Sequence, residues 1–226
     1  ITETADATRL VATAPAGKGS LTGAIEIDIS VAKPAGHESL NVLIPWSERT
    51  FQLTSKHNTR PATGTVRVGG RSWAVAAESD AWGVQDLGRG IWPYSNRWNW
   101  ASASGHGTDG RLLGLQFGGK WTIGTGATEN ALCIDGRLTK ISDELQWTYD
   151  WANPMAPWRV RTPGSDQVDA TLTPSFDRYD VTDLKVLRME VHQCFGTWAG
   201  RVVGDDGGPV SFEGVRGFAE EARNKW

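Results

Sequence analysis

The segment TVRVGGRSWAVAA, residues 65–77, carries the clearest fold signal in the chain. Apolar and polar side chains alternate on both sides of the Gly69-Gly70 pair, which is typical of two half-buried strands joined by a two-residue turn. A second turn of this kind, Asp135-Gly136, lies in IDGR at 134–137. Both segments therefore predict antiparallel β-hairpins.

Alternation with a period of two also marks four further strands, at residues 24–33, 111–119, 168–176 and 184–195. Only FAEEARNKW, residues 218–226, has a helical pattern, and it predicts a short C-terminal helix. The 27 glycines and 10 prolines supply turns between the strands. We expect an all-β fold of antiparallel barrels or a sandwich, because short strands with frequent turns close in that way.

Composition excludes several function classes. The 226 residues include 23 basic and 26 acidic side chains, well mixed along the chain, which argues against nucleic acid or an anionic membrane as a partner. No apolar run reaches the roughly 18–20 residues of a transmembrane helix, and we expect a cytoplasmic location. Cys133 and Cys194 lack the neighbours of a disulfide framework or a zinc site, so we expect buried thiols, no metal and no cofactor.

Residues 86–105, DLGRGIWPYSNRWNWASASG, concentrate aromatic and polar side chains. Because side chains alternate across a strand, Trp98 and Trp100 share one face, while Arg97 and Asn99 share the other. In one interpretation the tryptophans belong to the core and the polar residues are solvated. The twelve tryptophans of the chain favour a second interpretation, in which the cluster lines an apolar cavity.

Four segments closely resemble a bacterial family called domain of unknown function 2804, namely residues 32–70, 80–105, 124–138 and 217–226. A more distant resemblance is to the tandem lipocalin-like, or calycin, proteins that include carotenoid hydratases and tocopherol cyclases. It rests on the order of four motifs, which are GTVRVGGRSW at 64–73, DAWGVQDLG at 80–88, WNW at 98–100 and DGR at 135–137.

The lipocalin-like resemblance implies two β-barrels in tandem, formed by residues 1–95 and 96–226. Proteins of the first family are typically longer at the N-terminus, so we expect an upstream segment or a partner chain to complete the first barrel. Trp82 matches the tryptophan of the lipocalin-like motif, and Gln85 or Asp86 matches its polar pair. The sequence GVQD lacks the histidine of that motif.

The candidate ligand is a hydrophobic, lipid-like or isoprenoid-like small molecule near the junction of the two barrels, since ligand sites favour domain junctions. A carboxyl that protonates a double bond must be kept neutral by a dry pocket, and Asp86 is the candidate, with Asp80 and Glu129 as alternatives. His57, in SKHNTRP at 55–61, is the second candidate catalytic residue. The candidate ligand-binding residues are Arg60, Trp82, Arg89, Trp92, Tyr94, Arg97, Trp98, Asn99, Trp100 and Glu129.

Two function classes stay open. One is a cofactor-independent enzyme that catalyses hydration, cyclisation or isomerisation, and the other is a non-catalytic carrier or sensor of a hydrophobic molecule. An enzyme needs a titratable group of perturbed pKa in its cavity, whereas a carrier does not. If His57, Arg60, Asp86 and Arg89 serve one site, they should lie within about 10 Å of one another. An ion pair between Asp86 and Arg89 would instead keep the carboxyl ionised.

His192 and Cys194 are two residues apart and therefore share one face of a predicted strand. A catalytic Cys–His pair also needs a third group that orients the histidine. Without such a group, His192 is expected to be a hydrogen-bonded core residue.

Overall fold

The computed structural model describes residues 1–17 and 23–225 as an antiparallel all-β protein. The predicted fold class is therefore confirmed. A short 3-10 helix spans Ala77–Ser79, and no helix in the described residues is long and apolar enough to cross a membrane. The strands are β1 (Thr2–Glu3), β2 (Ala7–Ala14), β3 (Ile25–Ala32), β4 (Leu40–Pro45), β5 (Phe51–Val68), β6 (Arg71–Val75), β7 (Trp82–Ile91), β8 (Ser95–His106), β9 (Leu112–Gly119), β10 (Asn130–Ile134), β11 (Arg137–Ile141), β12 (Gln146–Thr148), β13 (Trp158–Arg161), β14 (Val168–Asp183), β15 (Arg188–Val203) and β16 (Pro209–Lys225).

The first compact unit comprises residues 1–17, 23–37 and 59–84. Its strands β1, β2 and β3 pair in that order, β3 pairs with the second half of β5, and β6 pairs with the same part of β5. Val68 and Arg71 are cross-strand partners on either side of the Gly69-Gly70 turn. The hairpin predicted from residues 65–77 is thus present.

The second compact unit comprises residues 38–58 and 85–225 and contains two sheets. In the larger sheet, strands β8 to β11 and strands β12 to β16 each pair in chain order, and β16 pairs with β8. This is a β-meander whose first and last strands are neighbours. The smaller sheet is formed by β4 and β7, which both pair with β5. The division into barrels of residues 1–95 and 96–226 stays a prediction.

The core of the second unit follows the alternation of its strands. Ala101 and Ala103 of β8 are buried among apolar side chains from β9 to β16, including the fully buried Trp158 and Trp198. The smaller sheet is built in the same way, since Leu40, Val42 and Ile44 are the buried residues of β4 and pack with Trp121 and Ala131. The apolar faces of the two sheets therefore meet within this unit.

The C-terminal helix predicted over residues 218–226 is wrong. Residues up to Lys225 belong to β16, and residues 216–225 of this strand pair with β15 on one side and with β8 on the other. Trp226 lies outside the described residues. The helical propensity of the Ala-Glu-Glu-Ala sequence is a few tenths of a kcal/mol per residue. Hydrogen bonding to two neighbouring strands and the burial of Phe218 and Ala222 outweigh it.

The pairing of β16 with β8 depends on a glycine. Gly217 lies opposite Ala103, and a Cβ added at Gly217 would be 2.3 Å from the carbonyl oxygen of Ser102. We predict that Gly217→Ala lowers the free energy of unfolding by about 1–3 kcal/mol, because the two central strands must separate. Gly164→Ala is the control, since no atom lies within 4 Å of its added Cβ. Equal midpoints in urea denaturation of the two variants would refute the prediction.

Candidate active site

A pocket of about 250 Å³ lies between the two sheets of the second unit. Alternate residues of β5 and β8 share one face of their strand and so reach the same space. The lining residues are Gln52, Thr54 and Lys56 from β5, Asp86 and Gly88 from β7, Trp98 and Trp100 from β8, Glu220 from β16, and Trp92, Trp121 and Glu129 from the connecting segments.

Lys56 is the centre of the polar contacts in this pocket. Its side chain is only 7% exposed, and its Nζ is 2.7 Å from Asp86 Oδ2 and 3.5 Å from Glu129 Oε1. The same ammonium lies 4.0 Å from the ring centroid of Trp100. Thr54 Oγ1 donates a hydrogen bond of 3.1 Å to the other oxygen of Asp86. The two carboxyl groups and the ring face compensate for the burial of a charge that would otherwise be strongly unfavourable.

Glu129 is the most deeply buried carboxyl of the pocket. It is 3% exposed, and Trp121 Nε1 donates a hydrogen bond of 3.1 Å to its Oε2. Burial raises the pKa of Glu129, and it outweighs the opposing effects of Lys56 and the Trp121 N–H. Gly118 makes room for this side chain, because a Cβ at that position would be 2.7 Å from Glu129 Oε2. Glu129 is therefore biased toward its neutral, protonated form.

Glu220 is a second buried carboxyl, which the sequence analysis did not identify. Trp98 Nε1 donates to its Oε1 at 2.9 Å, and Gln193 Nε2 donates to its Oε2 at 2.7 Å. Burial raises the pKa of Glu220 in spite of these hydrogen bonds. The residue was missed because FAEEARNKW was interpreted as a helix. The alternation of a strand would have indicated which face of β16 Glu220 occupies.

Five of the predicted site residues line the pocket: Asp86, Trp92, Trp98, Trp100 and Glu129. Asp86 lines the same space as the three tryptophans. Its ion-pair partner is Lys56, whereas Arg89 is exposed on β7. The structure thus brings together the acidic and aromatic candidates, and their catalytic and binding roles stay predictions.

Four other candidates of the second unit lie outside this pocket. His57 is on the opposite face of β5 from Lys56, where its Nε2 is 2.9 Å from Ser55 Oγ. Tyr94 is exposed, and its hydroxyl donates to the carbonyl oxygen of Val186 at 3.3 Å. Arg97 is exposed, and Asn99 lies on the core side of β8, where its Nδ2 donates to the Tyr149 hydroxyl. His57 is therefore not among the residues that line the pocket with Asp86.

Three candidates belong to the first unit. Trp82 Nε1 donates a hydrogen bond of 2.8 Å to Asp80 Oδ1. Arg60 is partly buried, and burial lowers its pKa. The hydrogen bond between Trp82 and Asp80 makes them a local pair at the start of β7.

His192 does have an orienting carboxylate, which the sequence did not reveal. Its Nδ1 is 2.7 Å from Asp177 Oδ2, while Cys194 Sγ is 3.7 Å from Asp177 Oδ1 and 3.3 Å from the carbonyl oxygen of Pro154. Burial raises the pKa of the Cys194 thiol to about 12. A thiol that is not ionised near neutral pH is a poor nucleophile, so this group does not form an activated Cys–His pair.

Within residues 1–17 and 23–225, no group of three or more His, Cys, Asp or Glu side chains is arranged to hold a metal ion. In the pocket the ammonium of Lys56 occupies the position between Asp86 and Glu129. A lysine there supplies the counter-charge of the Asp86 carboxylate.

The fold and the pocket define an antiparallel all-β protein with a tryptophan-walled, carboxyl-rich site. The chain belongs to the family described as Domain of unknown function (DUF2804), whose model matches residues 1–226. The resemblance noted in the sequence is thereby confirmed. No curated protein matches the chain.

Two solved structures are similar to the chain. Kievitone hydratase from Nectria haematococca is 13% identical with a TM-score of 0.46, and the match covers 89% of this chain and 61% of that one. An ATTH-like protein from Nitrosomonas europaea is 14% identical with a TM-score of 0.43, covering 94% and 64%. The chain therefore spans less than two thirds of the length of either protein.

Removing the pocket ammonium should destabilise the fold. We predict that Lys56→Met lowers the free energy of unfolding by about 1–3 kcal/mol, because it leaves the partly exposed carboxylate of Asp86 without its counter-ion. Lys33→Met is the matched control, since Lys33 pairs with the half-exposed Glu3 and such surface pairs contribute about 1 kcal/mol or less. Urea denaturation followed by tryptophan fluorescence measures both, and similar losses in the two variants would contradict the prediction.

Proposed function

We propose that the pocket is an active site for proton transfer to an apolar substrate, with Glu129 as the general acid. The observation that carries this proposal is a carboxyl that is 3% exposed, has a raised pKa and faces a tryptophan-lined space. Such a group keeps its proton to higher pH than an exposed glutamate and can donate it to a substrate. The reaction class is cofactor-independent hydration, cyclisation or isomerisation of a carbon–carbon double bond in a lipid-like or isoprenoid-like molecule.

The proposed reaction begins when Glu129 transfers its proton to one carbon of the double bond. Positive charge then develops on the other carbon, which the electron-rich tryptophan faces favour. The carboxylate left on Glu129 is 3.5 Å from the Lys56 ammonium and accepts the 3.1 Å hydrogen bond from Trp121. Hydration is completed by addition of water, and isomerisation or cyclisation by loss of a proton from carbon.

Asp86 differs from Glu129 in a way that suits the second step. Its side chain is 39% exposed and is held by Lys56 and Thr54. A carboxylate at the solvent side of the pocket is placed to accept the proton that water or carbon releases. We therefore assign the general-base role to Asp86 and the acid role to Glu129, which reverses the preference inferred from the sequence.

The size of the pocket limits the part of the substrate that reacts there. An apolar cavity of about 150 Å³ accommodates benzene, and the pocket measures about 250 Å³. It therefore fits a molecule, or the end of a longer molecule, of about one ring or one or two isoprene units.

The alternative function is a non-catalytic carrier or sensor of a hydrophobic molecule. It is favoured by the tryptophan wall, which is sufficient on its own to bind an apolar ligand. The two functions differ in whether Glu129 is needed after the ligand has bound.

Incubation in heavy water distinguishes an enzyme from a carrier. An acid that exchanges with solvent deposits deuterium in its product, so incubation with a panel of short unsaturated isoprenoid alcohols should yield deuterated products detectable by mass spectrometry. We predict that Glu129→Gln reduces this incorporation by about 100-fold or more while ligand affinity persists. Glu144→Gln is the control, because burial also raises the pKa of Glu144, which lies outside the lining of this pocket. Binding without any deuterium incorporation in the unaltered protein favours the carrier.

The pH dependence of turnover tests the acid directly. Because Glu129 acts in its protonated form, activity should fall as the pH rises through its raised pKa. The negative charge of Asp86 contributes to raising that pKa, so Asp86→Asn should shift the fall in activity to lower pH, in addition to reducing its maximum. Asp28→Asn, at an exposed ion pair of the first unit, should leave the profile unchanged. A shift of the Asp86→Asn profile to higher pH would be inconsistent with Glu129 as the acid.

A further inference from the structure

We propose that this pocket also binds an organic cation, a substituted ammonium group in contact with the tryptophan rings, in place of the neutral substrate. The inference rests on the pocket of the proposed function and names a second class of ligand for it, but it requires no turnover. It follows from the orientation of the indole rings and from the charge balance of the lining residues.

The indole N–H groups are already engaged at the margins of the pocket. Trp98 and Trp121 donate theirs to Glu220 and Glu129, at 2.9 and 3.1 Å. Trp100 Nε1 donates to Gln116 Oε1 at 3.0 Å. An indole N–H lies in the plane of its ring, so these hydrogen bonds use ring edges and leave the ring faces for other contacts.

The indole rings of Trp92, Trp98 and Trp121 line the pocket, and Trp92 is in contact with the other two. The centroid of Trp92 is 5.0 Å from that of Trp46, 5.6 Å from that of Trp98 and 5.4 Å from that of Trp121. Aromatic faces carry negative electrostatic potential and attract ammonium groups, substituted ones in particular. The protein itself provides an example, because the ammonium of Lys56 lies 4.0 Å from the centroid of Trp100.

The lining residues carry more potential negative charge than positive charge. They include the carboxyl groups of Asp86, Glu129 and Glu220, against the single ammonium of Lys56. Lys56 is closest to Asp86, at 2.7 Å, and so compensates chiefly for that group. Lys140 also acts electrostatically on Glu129, but its Nζ is engaged by the hydroxyl of Thr128. A bound cation would supply the counter-charge that the two glutamates lack.

This charge balance links cation binding to proton release. Burial holds the pKa of both Glu129 and Glu220 above the ordinary range. A positive charge bound beside them favours their ionised forms, so their protons should leave when the cation binds. By linkage, affinity for the cation should increase as the pH rises, whereas affinity for a neutral ligand should not.

Choline and the alcohol in which a tert-butyl group replaces its trimethylammonium group form a matched pair of probes. They have nearly the same shape and differ in charge. We expect choline to bind about tenfold more tightly, which corresponds to a cation–π preference of about 1.4 kcal/mol. Titration calorimetry of the intact chain in two buffers of different protonation enthalpy should show proton release with choline only.

Three variants test whether the preference for choline depends on the tryptophan rings and whether the proton release depends on the two glutamates. Trp92→Leu should reduce the preference for choline several-fold, whereas Trp73→Leu, at a half-exposed position of the first unit, should leave it unchanged. The double variant Glu129→Gln, Glu220→Gln should abolish proton release. Equal affinity for the two probes, binding of neither, or choline binding that is insensitive to Trp92→Leu would overturn the inference.

The inference and the proposed function fail in different ways. If the pocket is catalytic but has no preference for cations, deuterium incorporation survives while the two probes bind equally. If it binds cations without catalysis, choline binds with proton release while no isoprenoid product acquires deuterium.

Discussion

The buried ammonium of Lys56 is the interaction on which the candidate site depends. It is 7% exposed and contacts Asp86 of β7, Glu129 before β10 and the Trp100 ring of β8. An unpaired charge in such a position would cost several kcal/mol, so the two sheets of the second unit must supply its partners. This requirement couples the packing of the sheets to the chemistry of the pocket. Because one ammonium serves two nearby carboxyl groups, the more deeply buried one is favoured in its neutral form.

Adjacent glutamates on β16 show how strongly the environment decides the charge of a side chain. Glu220 faces the pocket, where burial raises its pKa. Glu221 points to the other face and is 1% exposed, yet the hydrogen bonds from Arg223, Lys120 and Tyr149 outweigh its burial and lower its pKa. Glu221 is therefore favoured in its ionised form by its hydrogen bonds on one face of the strand, whereas Glu220 is favoured in its protonated form on the other. The alternation of the strand separates the two roles.

Local patterns in the sequence were sufficient for several of the strands, the two hairpins and the shared face of Trp98 and Trp100, because these follow from a period of two. The remaining parts of the site depend on contacts between distant residues. His57 was preferred over its neighbour Lys56, although only the latter shares a face with Thr54. Glu220 was hidden within a segment of helical composition whose strand pairing depends on β8, over a hundred residues earlier. Alternation assigns a side chain to a face only once the segment is known to be a strand, and propensity and periodicity do not report which strands become its neighbours.

The choice of Glu129 over Asp86 as the acid follows from where the positive charge is fixed. Asp86 is 39% exposed, and it forms the closer contact with Lys56, at 2.7 Å, before any substrate enters. Glu129 is 3% exposed, and its Oε1 is 3.5 Å from the same ammonium. When Glu129 loses its proton, the ammonium and the Trp121 N–H already lie beside the carboxylate that forms. Groups that are in place before charge develops need no reorganisation, which is the condition under which electrostatic stabilisation contributes most to catalysis. Burial thus favours the neutral acid in the resting protein, while the Lys56 ammonium and the Trp121 N–H limit the cost of forming its conjugate base.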